Sequence, residues 1–217
     1  MDWKTKAGWG FTAVLVSVMA LTMSCGRSDD SKKETENQPW SLVSTNVPTN
    51  VASTTIETNF PLRSIGSLRF RMPIGWQATM QETPSNRVPA MTILFGPAKG
   101  LDFVVEFSAL LGGKDLATLN TRSACEKALK QNLGAALEKK IEIQDLNGPE
   151  ISGHYFSITD KNLVDQIPPP GEYKYLIQGN AKMARFATSF RIMANNPSAE
   201  TREAGLEMIR TVRFVAR

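Results

Sequence analysis

Cysteine and histidine are nearly missing from this chain. Its 217 residues hold two cysteines, Cys25 and Cys125, and one histidine, His154. That scarcity excludes the common zinc patterns and a disulfide-dense scaffold. Also missing are the GxSxG nucleophile elbow, the GxxxxGK[ST] phosphate cradle, the HExxH metal motif and any nucleophile–base pair at recognisable spacing. No cofactor motif stands in their place, and no internal repeat is present. Charge of one sign is not in excess either. Basic residues number 25 and acidic residues 21, a net +4, which is too mild a field for a nucleic-acid binder.

What is present at the start is a leader. Lys4 and Lys6 precede an apolar run from Ala7 to Met23, and Ser24-Cys25-Gly26 follows. The run is apolar enough to enter a translocon, and shorter than the roughly 20 residues a spanning helix needs. An ordinary signal peptide is one reading. The segment more closely resembles bacterial lipoprotein precursors, whose lipobox sets Leu, a small residue and Gly, Ala or Ser before the cysteine. Ser24 fits. Met23 is bulkier than its counterpart, and Leu21 stands one position early. The resemblance implies cleavage of residues 1–24 and a Cys25 that carries a diacylglycerol thioether and an amide-linked acyl chain. At about 0.8 kcal/mol per buried CH2, several acyl chains together make a stable membrane anchor. It further implies export to the bacterial cell envelope. Gly26, where an Asp is the usual inner-membrane retention signal, favours the outer membrane in a cell that has one. With Cys25 acylated, Cys125 has no partner, so the fold rests on its core alone. Loss of Asp2, Lys4 and Lys6 leaves a net charge of +3.

Residues 25–60 read as a disordered tether. Charged and polar residues come first, then a Ser/Thr/Asn/Pro/Val stretch from Ser41 to Asn59, with Trp40 and Leu42 as apolar exceptions. Such a composition offers little to offset the entropy of ordering, and about 35 flexible residues span roughly 30–35 Å. The folded domain is expected over 61–217. Period-two alternation predicts strands at 68–72, 76–81, 91–95 and 103–108, joined by short turns and therefore antiparallel neighbours. An apolar stripe from Leu116 to Leu137 predicts a helix over 115–139. Strands at 141–146, 151–159, 173–178 and 183–193 follow, with a hairpin turn at 179–182. Asn196-Pro197 signals a second helix, carrying Ala204, Met208 and Ile209 inward, and 212–215 is a last extended piece. The expected fold class is α+β, a mainly antiparallel β-sheet flanked by helices, in one domain.

Few residues carry a hint of chemistry. His154 shares a strand face with Phe156 and Ile158, which predicts a partly buried, hydrogen-bonded histidine rather than a ligand. Cys125 sits beside the helix stripe and reads as a buried, inert thiol. The most distinctive loop is 160–172, where Asp160, Asp165 and Glu172 flank a Pro168-Pro169-Pro170 run. Three carboxylates could hold a hard cation, but the spacing is not that of an EF-hand, and no metal is assigned. The stiff, long loop suits contact with a partner. Arg69, Arg71, Arg185 and Arg191 fall on polar strand faces and read as solvated or paired with acids.

The element order and the run Phe70-Arg71-Met72-Pro73-Ile74-Gly75-Trp76 resemble the PsbP-like family, over roughly residues 64–216. The resemblance implies an antiparallel sheet covered by helices on both faces. It implies no reaction, because characterised members mainly bind or stabilise partner proteins. The strict alternation, by contrast, predicts a sheet face that is only partly covered. The expected function is that of a non-catalytic protein-binding or accessory module of the envelope. The alternative is a small-molecule-binding protein or hydrolase with a pocket between sheet and helix.

Overall fold

Alternating apolar residues make one-sided strands, and one-sided strands must find a cover. The computed structural model describes residues 55–62, 65–83, 90–97, 102–111, 119–184, 186–196 and 198–217. All of them belong to one unit, Ser53–Arg217. In chain order the elements are β1 (Thr55–Leu62), β2 (Gly66–Pro73), β3 (Trp76–Thr83), β4 (Ala90–Pro97), β5 (Phe103–Leu111), α1 (Thr121–Asn132), β6 (Gln144–Asn147), β7 (Ile151–Thr159), β8 (Tyr175–Met183), β9 (Phe186–Ala194), α2 (Ala199–Arg210) and β10 (Arg213–Ala216). The strands form a seven-stranded sheet, β3-β4-β5-β9-β8-β7-β6, and a three-stranded sheet, β1-β2-β10, antiparallel throughout. The α+β class stands. No described helix is long and apolar enough to cross a membrane.

The small sheet covers one face of the large one. Phe60 of β1 and Phe70 of β2 meet Phe95 of β4 at centroid distances of 5.6 and 4.9 Å. Phe70 also meets Phe107 of β5 at 5.1 Å, and Phe214 of β10 meets Phe186 of β9 at 4.9 Å. Helix α2 packs on β2 and β9 beside them, burying Leu206, Met208 and Ile209. This contact corrects the expectation that the first four strands are neighbours in one sheet. Pro73-Ile74-Gly75 does turn the chain, but from the small sheet to the large one. Had β2 continued the sheet beside β3, its row of Leu68, Phe70 and Met72 would have widened the apolar face instead of closing it.

On the opposite face, α1 packs chiefly over β7 and β8, around Cys125, Phe156 and Ile158. Across β3, β4, β5 and β9 that face carries Gln77, Thr79, Thr92, Glu106, Ser108, Ser189 and Arg191, all at least partly exposed. Among the described residues, the sheet is thus covered on one side and, on the other, at one end.

Four further boundaries differ from expectation. The tether does not reach residue 60. Thr55–Phe60 pair with β2, and Phe60 is buried, because this polar-looking segment is rich in β-branched residues and hydrogen-bonds along a strand that needs a neighbour. Helix α1 is shorter than 115–139. Asn120 caps its start by accepting the Ser123 N–H at 3.0 Å, and Asn132 donates to the Ala128 carbonyl at 2.8 Å near its end. Leu133 and Leu137, expected on the buried stripe, are exposed. The hairpin at 179–182 lies one turn of sequence later, after Met183. Gly179 is instead in mid-strand, opposite Phe190, whose ring would lie 2.2 Å from a Cβ placed there. Finally, Ser198 rather than Asn196 caps α2, accepting the Thr201 N–H at 3.0 Å.

Charge on the exposed faces of both sheets is paired. Arg191 lies 3.9 Å from Glu106 across β9 and β5, and Glu57 lies 3.6 Å from Arg69 and 3.5 Å from Arg71. Arg185 is outside the described residues. Burial raises the Glu106 carboxyl above its ordinary 4.5, and the Arg191 charge offsets this only in part. The folded pKa exceeds the unfolded one, so the folded state holds this proton more tightly. Its stabilising share is full below the ordinary carboxyl range and is lost as pH rises through the raised value. Glu106→Gln is therefore expected to flatten the fall in melting temperature above about pH 4.5. An unchanged profile would exclude this origin.

Candidate functional site

Polar groups gather in one place, where the start of α1 meets β6, β7 and β8. Antiparallel pairing sets His154 of β7 between Asp145 of β6 and Asn180 of β8. The Asn120 cap starts α1 so that Thr121 is its first residue, directly over His154. His154 Nδ1 and Thr121 Oγ1 share a hydrogen bond of 2.8 Å, and Nε2 lies 3.3 Å from Asp145 Oδ1. The neutral tautomer that serves both partners carries its proton on Nε2, donates to the carboxylate, and accepts the Thr121 hydroxyl proton. One turn along α1, the Cys125 thiol donates to the His154 carbonyl at 3.0 Å, and Asn180 Nδ2 donates to Cys125 Sγ at 3.6 Å. Burial pushes the Cys125 thiol above its ordinary range, and the Asn180 hydrogen bonds offset this only partly. That makes it a poor nucleophile.

Thr121, His154 and Asp145 border an open groove of about 450 Å³, lined also by Asn147, Ser152 and Lys182. The Thr–His–Asp order has the outline of a nucleophile, a base and an orienting acid. Its chemistry is limited by access. Thr121 is only 8% exposed, so no open nucleophile is provided there, and the Ser123 amide at the same helix end is already bound to Asn120. The array clamps α1 onto β7, and the groove can hydrogen-bond a small polar molecule. The sequence reading of His154 as a partly buried, bonded histidine agrees with this geometry. It missed Thr121 and Asp145. Asp145 was within reach of counting, because a tight turn at 148–150 puts 145 opposite 154.

The 160–172 loop is built differently from its expected form. Asp160 is turned inward rather than presented to solvent. It is 8% exposed and spends its carboxylate on the Asn162 N–H at 2.8 Å, while its own N–H reaches the Lys174 carbonyl at 2.7 Å. An Asp one strand-length from a chain reversal serves the turn, because its short side chain reaches the amide two residues on. Asp165 is exposed and Glu172 half-buried, and among the described residues no three His, Cys, Asp or Glu side chains converge. The loop's outstanding residue is one the sequence reading passed over, Ile167, 96% exposed next to the three prolines. Cys25, Trp40 and Leu42 lie outside the described residues. No protein-family profile, curated protein or solved structure matches the chain.

Proposed function

We propose that this chain is an exported, lipid-anchored accessory protein of the bacterial envelope that binds a protein partner through its 160–172 loop. The single observation that carries the binding reading is Ile167. A large apolar side chain stands almost wholly in water on a loop tied firmly at its base. Lys161 N–H reaches the Ala135 carbonyl at 2.9 Å, Lys174 Nζ reaches the Val164 carbonyl at 3.1 Å, and Leu163 is buried. Three consecutive prolines stiffen the far side. A loop ordered before contact loses little entropy on binding, so most of the burial energy becomes affinity. Fully burying one such side chain contributes about 1.5–3 kcal/mol, roughly tenfold or more in affinity. Exposed Asp165 supplies a polar rim. The anchoring half of the proposal rests on the leader and Cys25. Membership of the PsbP-like family is part of the same reading. Its support is the Pro73-Ile74-Gly75-Trp76 turn between the two sheets and the order of strands and helices after it. The polar groove beside His154 favours a second reading, a small-molecule-binding protein.

The test is crosslinking on intact membranes followed by capture of the full chain, with mass spectrometry of its mature N-terminus. The same envelope protein is expected in repeated captures, falling roughly tenfold with Ile167→Asp, and the N-terminus is expected to be acylated Cys25. Equal recovery with Ile167→Asp would remove the loop from the interface. No recovered protein, together with binding of a small polar compound that shields the groove, would favour the second reading. An unmodified Cys25 would sink the anchor.

A further inference from the structure

Sheet edges expose unpaired backbone N–H and C=O groups, and folded chains protect them with charge, proline, shortness or cover. The two sheets here have four edges, and three are protected. Edge strand β1 carries Glu57, held by Arg69 and Arg71, and Pro61. Strand β10 has four residues, begins with Arg213, and gives its Phe214 N–H to Glu150 Oε2 at 2.9 Å. Strand β6 also has four residues, carries exposed Asp145, and runs into Gly148-Pro149. The fourth edge, β3, has the fewest of these devices, its one charge being Glu82 next to its end and its nearest following proline Pro84 just past it. It is eight residues long, contains no proline, and has no charge from Trp76 to Gln81. Its pairing with β4 is unbroken from Trp76 to Thr83, so no bulge twists it away. Among the described residues it pairs with β4 alone.

We infer that β3 is a self-association edge that joins two copies of this chain into one continuous antiparallel sheet about a two-fold axis at Thr79. The sequence of the strand is what selects a second copy as occupant. Antiparallel pairing centred on Thr79 sets Thr79 against Thr79, Gln77 against Gln81, and Ala78 against Met80. Gln77, Thr79 and Gln81 are the exposed residues of β3, while Ala78 and Met80 pack against the core. Polar therefore meets polar on the outer face, and Ala78 meets Met80 at the centre of the inner one, with both copies presenting the same face to the same side. Glu82 falls opposite Trp76, so no two like charges are opposed. A one-residue slip would put the exposed row of one copy against the half-buried row of the other, which holds the register. Directly opposed residues in such a pair have Cβ atoms about 4.5–5.5 Å apart.

The experiment is sedimentation velocity on the detergent-solubilised full chain over a range of concentrations. A concentration-dependent dimer is expected, weakened roughly tenfold by Thr79→Lys, which opposes two like charges at the axis. Thr79 is exposed, so this substitution leaves the core of each copy intact. In parallel, Thr79→Cys is oxidised with copper phenanthroline and the product mapped by peptide mass spectrometry. A 79–79 disulfide is expected. A chain that stays monomeric, a dimer indifferent to Thr79→Lys, or the lack of a 79–79 link would each overturn the inference. So would protection of β3 amides from hydrogen exchange only when a different protein is added.

Discussion

Replacing Phe70 by Ala is expected to cost about 3–5 kcal/mol of unfolding free energy. Phe70 is the middle residue of the middle strand of the small sheet, with 0% exposure. Its ring touches three others, Phe60 at 5.8 Å, Phe95 at 4.9 Å and Phe107 at 5.1 Å. The first belongs to its own sheet and the other two to the large sheet, so the ring forms part of the join between layers. Truncation removes that contact and leaves a cavity that the rigid strands around it cannot close. Domains of this kind are stable by only about 5–15 kcal/mol, so the loss is a large fraction of the whole. For a chain of this size it corresponds to a fall of roughly 6–20 °C in melting temperature. Thermal unfolding of the full chain measures it, with Ile167→Ala as the control. Ile167 is 96% exposed, and its truncation is expected to move the transition hardly at all. A Phe70→Ala loss under about 1 kcal/mol would mean that the two sheets are not held together there.

Gly153→Val is expected to cost about 3 kcal/mol, at the upper end for overpacking, through the opposite fault. Gly153 is buried in β7, with Leu146 of β6 on one side and Ala181 of β8 on the other. A Cβ at this position would stand 2.2 Å from the Asn180 carbonyl oxygen and 2.6 Å from the Ala181 Cα. Both are backbone atoms of the neighbouring strand, so no rotamer change relieves the clash. The strands must part, and they part beneath the Thr121–His154–Asp145 clamp. Hydrogen exchange of the β7–β8 amides is expected to speed up with the loss of stability. A valine variant as stable as the parent would show that the two strands are not so closely apposed.

How much of this could be read from the chain varies element by element. Leu68, Phe70 and Met72 declare a strand with one apolar face, because side chains alternate at period two whatever the strand's neighbours are. The same holds for Met91, Ile93 and Phe95, and for Phe103, Val105 and Phe107. Alternation also predicted correctly that one sheet face stays partly open. It is silent on which strand a given strand pairs with. The turn at Ile74-Gly75 fits a hairpin or a passage between sheets equally well, since it is local and the choice between them is not. Gly179 read as a turn residue because glycine suits turns, whereas its place is set by the Phe190 ring on the next strand.

The candidate site divides along the same line. Cys125 and His154 are recognisable from face periodicity as partly or wholly buried, because burial follows from neighbours two or three residues away. Thr121 becomes the partner of His154 only once α1 lies across β7, thirty-three residues on. The 160–172 loop shows its length and its prolines in the sequence. That Asp160 turns inward and Ile167 outward depends on contacts with Ala135, Asn162 and Lys174, supplied by segments on either side. Local chemistry therefore specified strands and their apolar faces. Sheet partners, the clamp and the exposed edge of β3 follow from where distant segments pack, because burying two apolar faces against each other is a property of the pair and is written in neither strand alone.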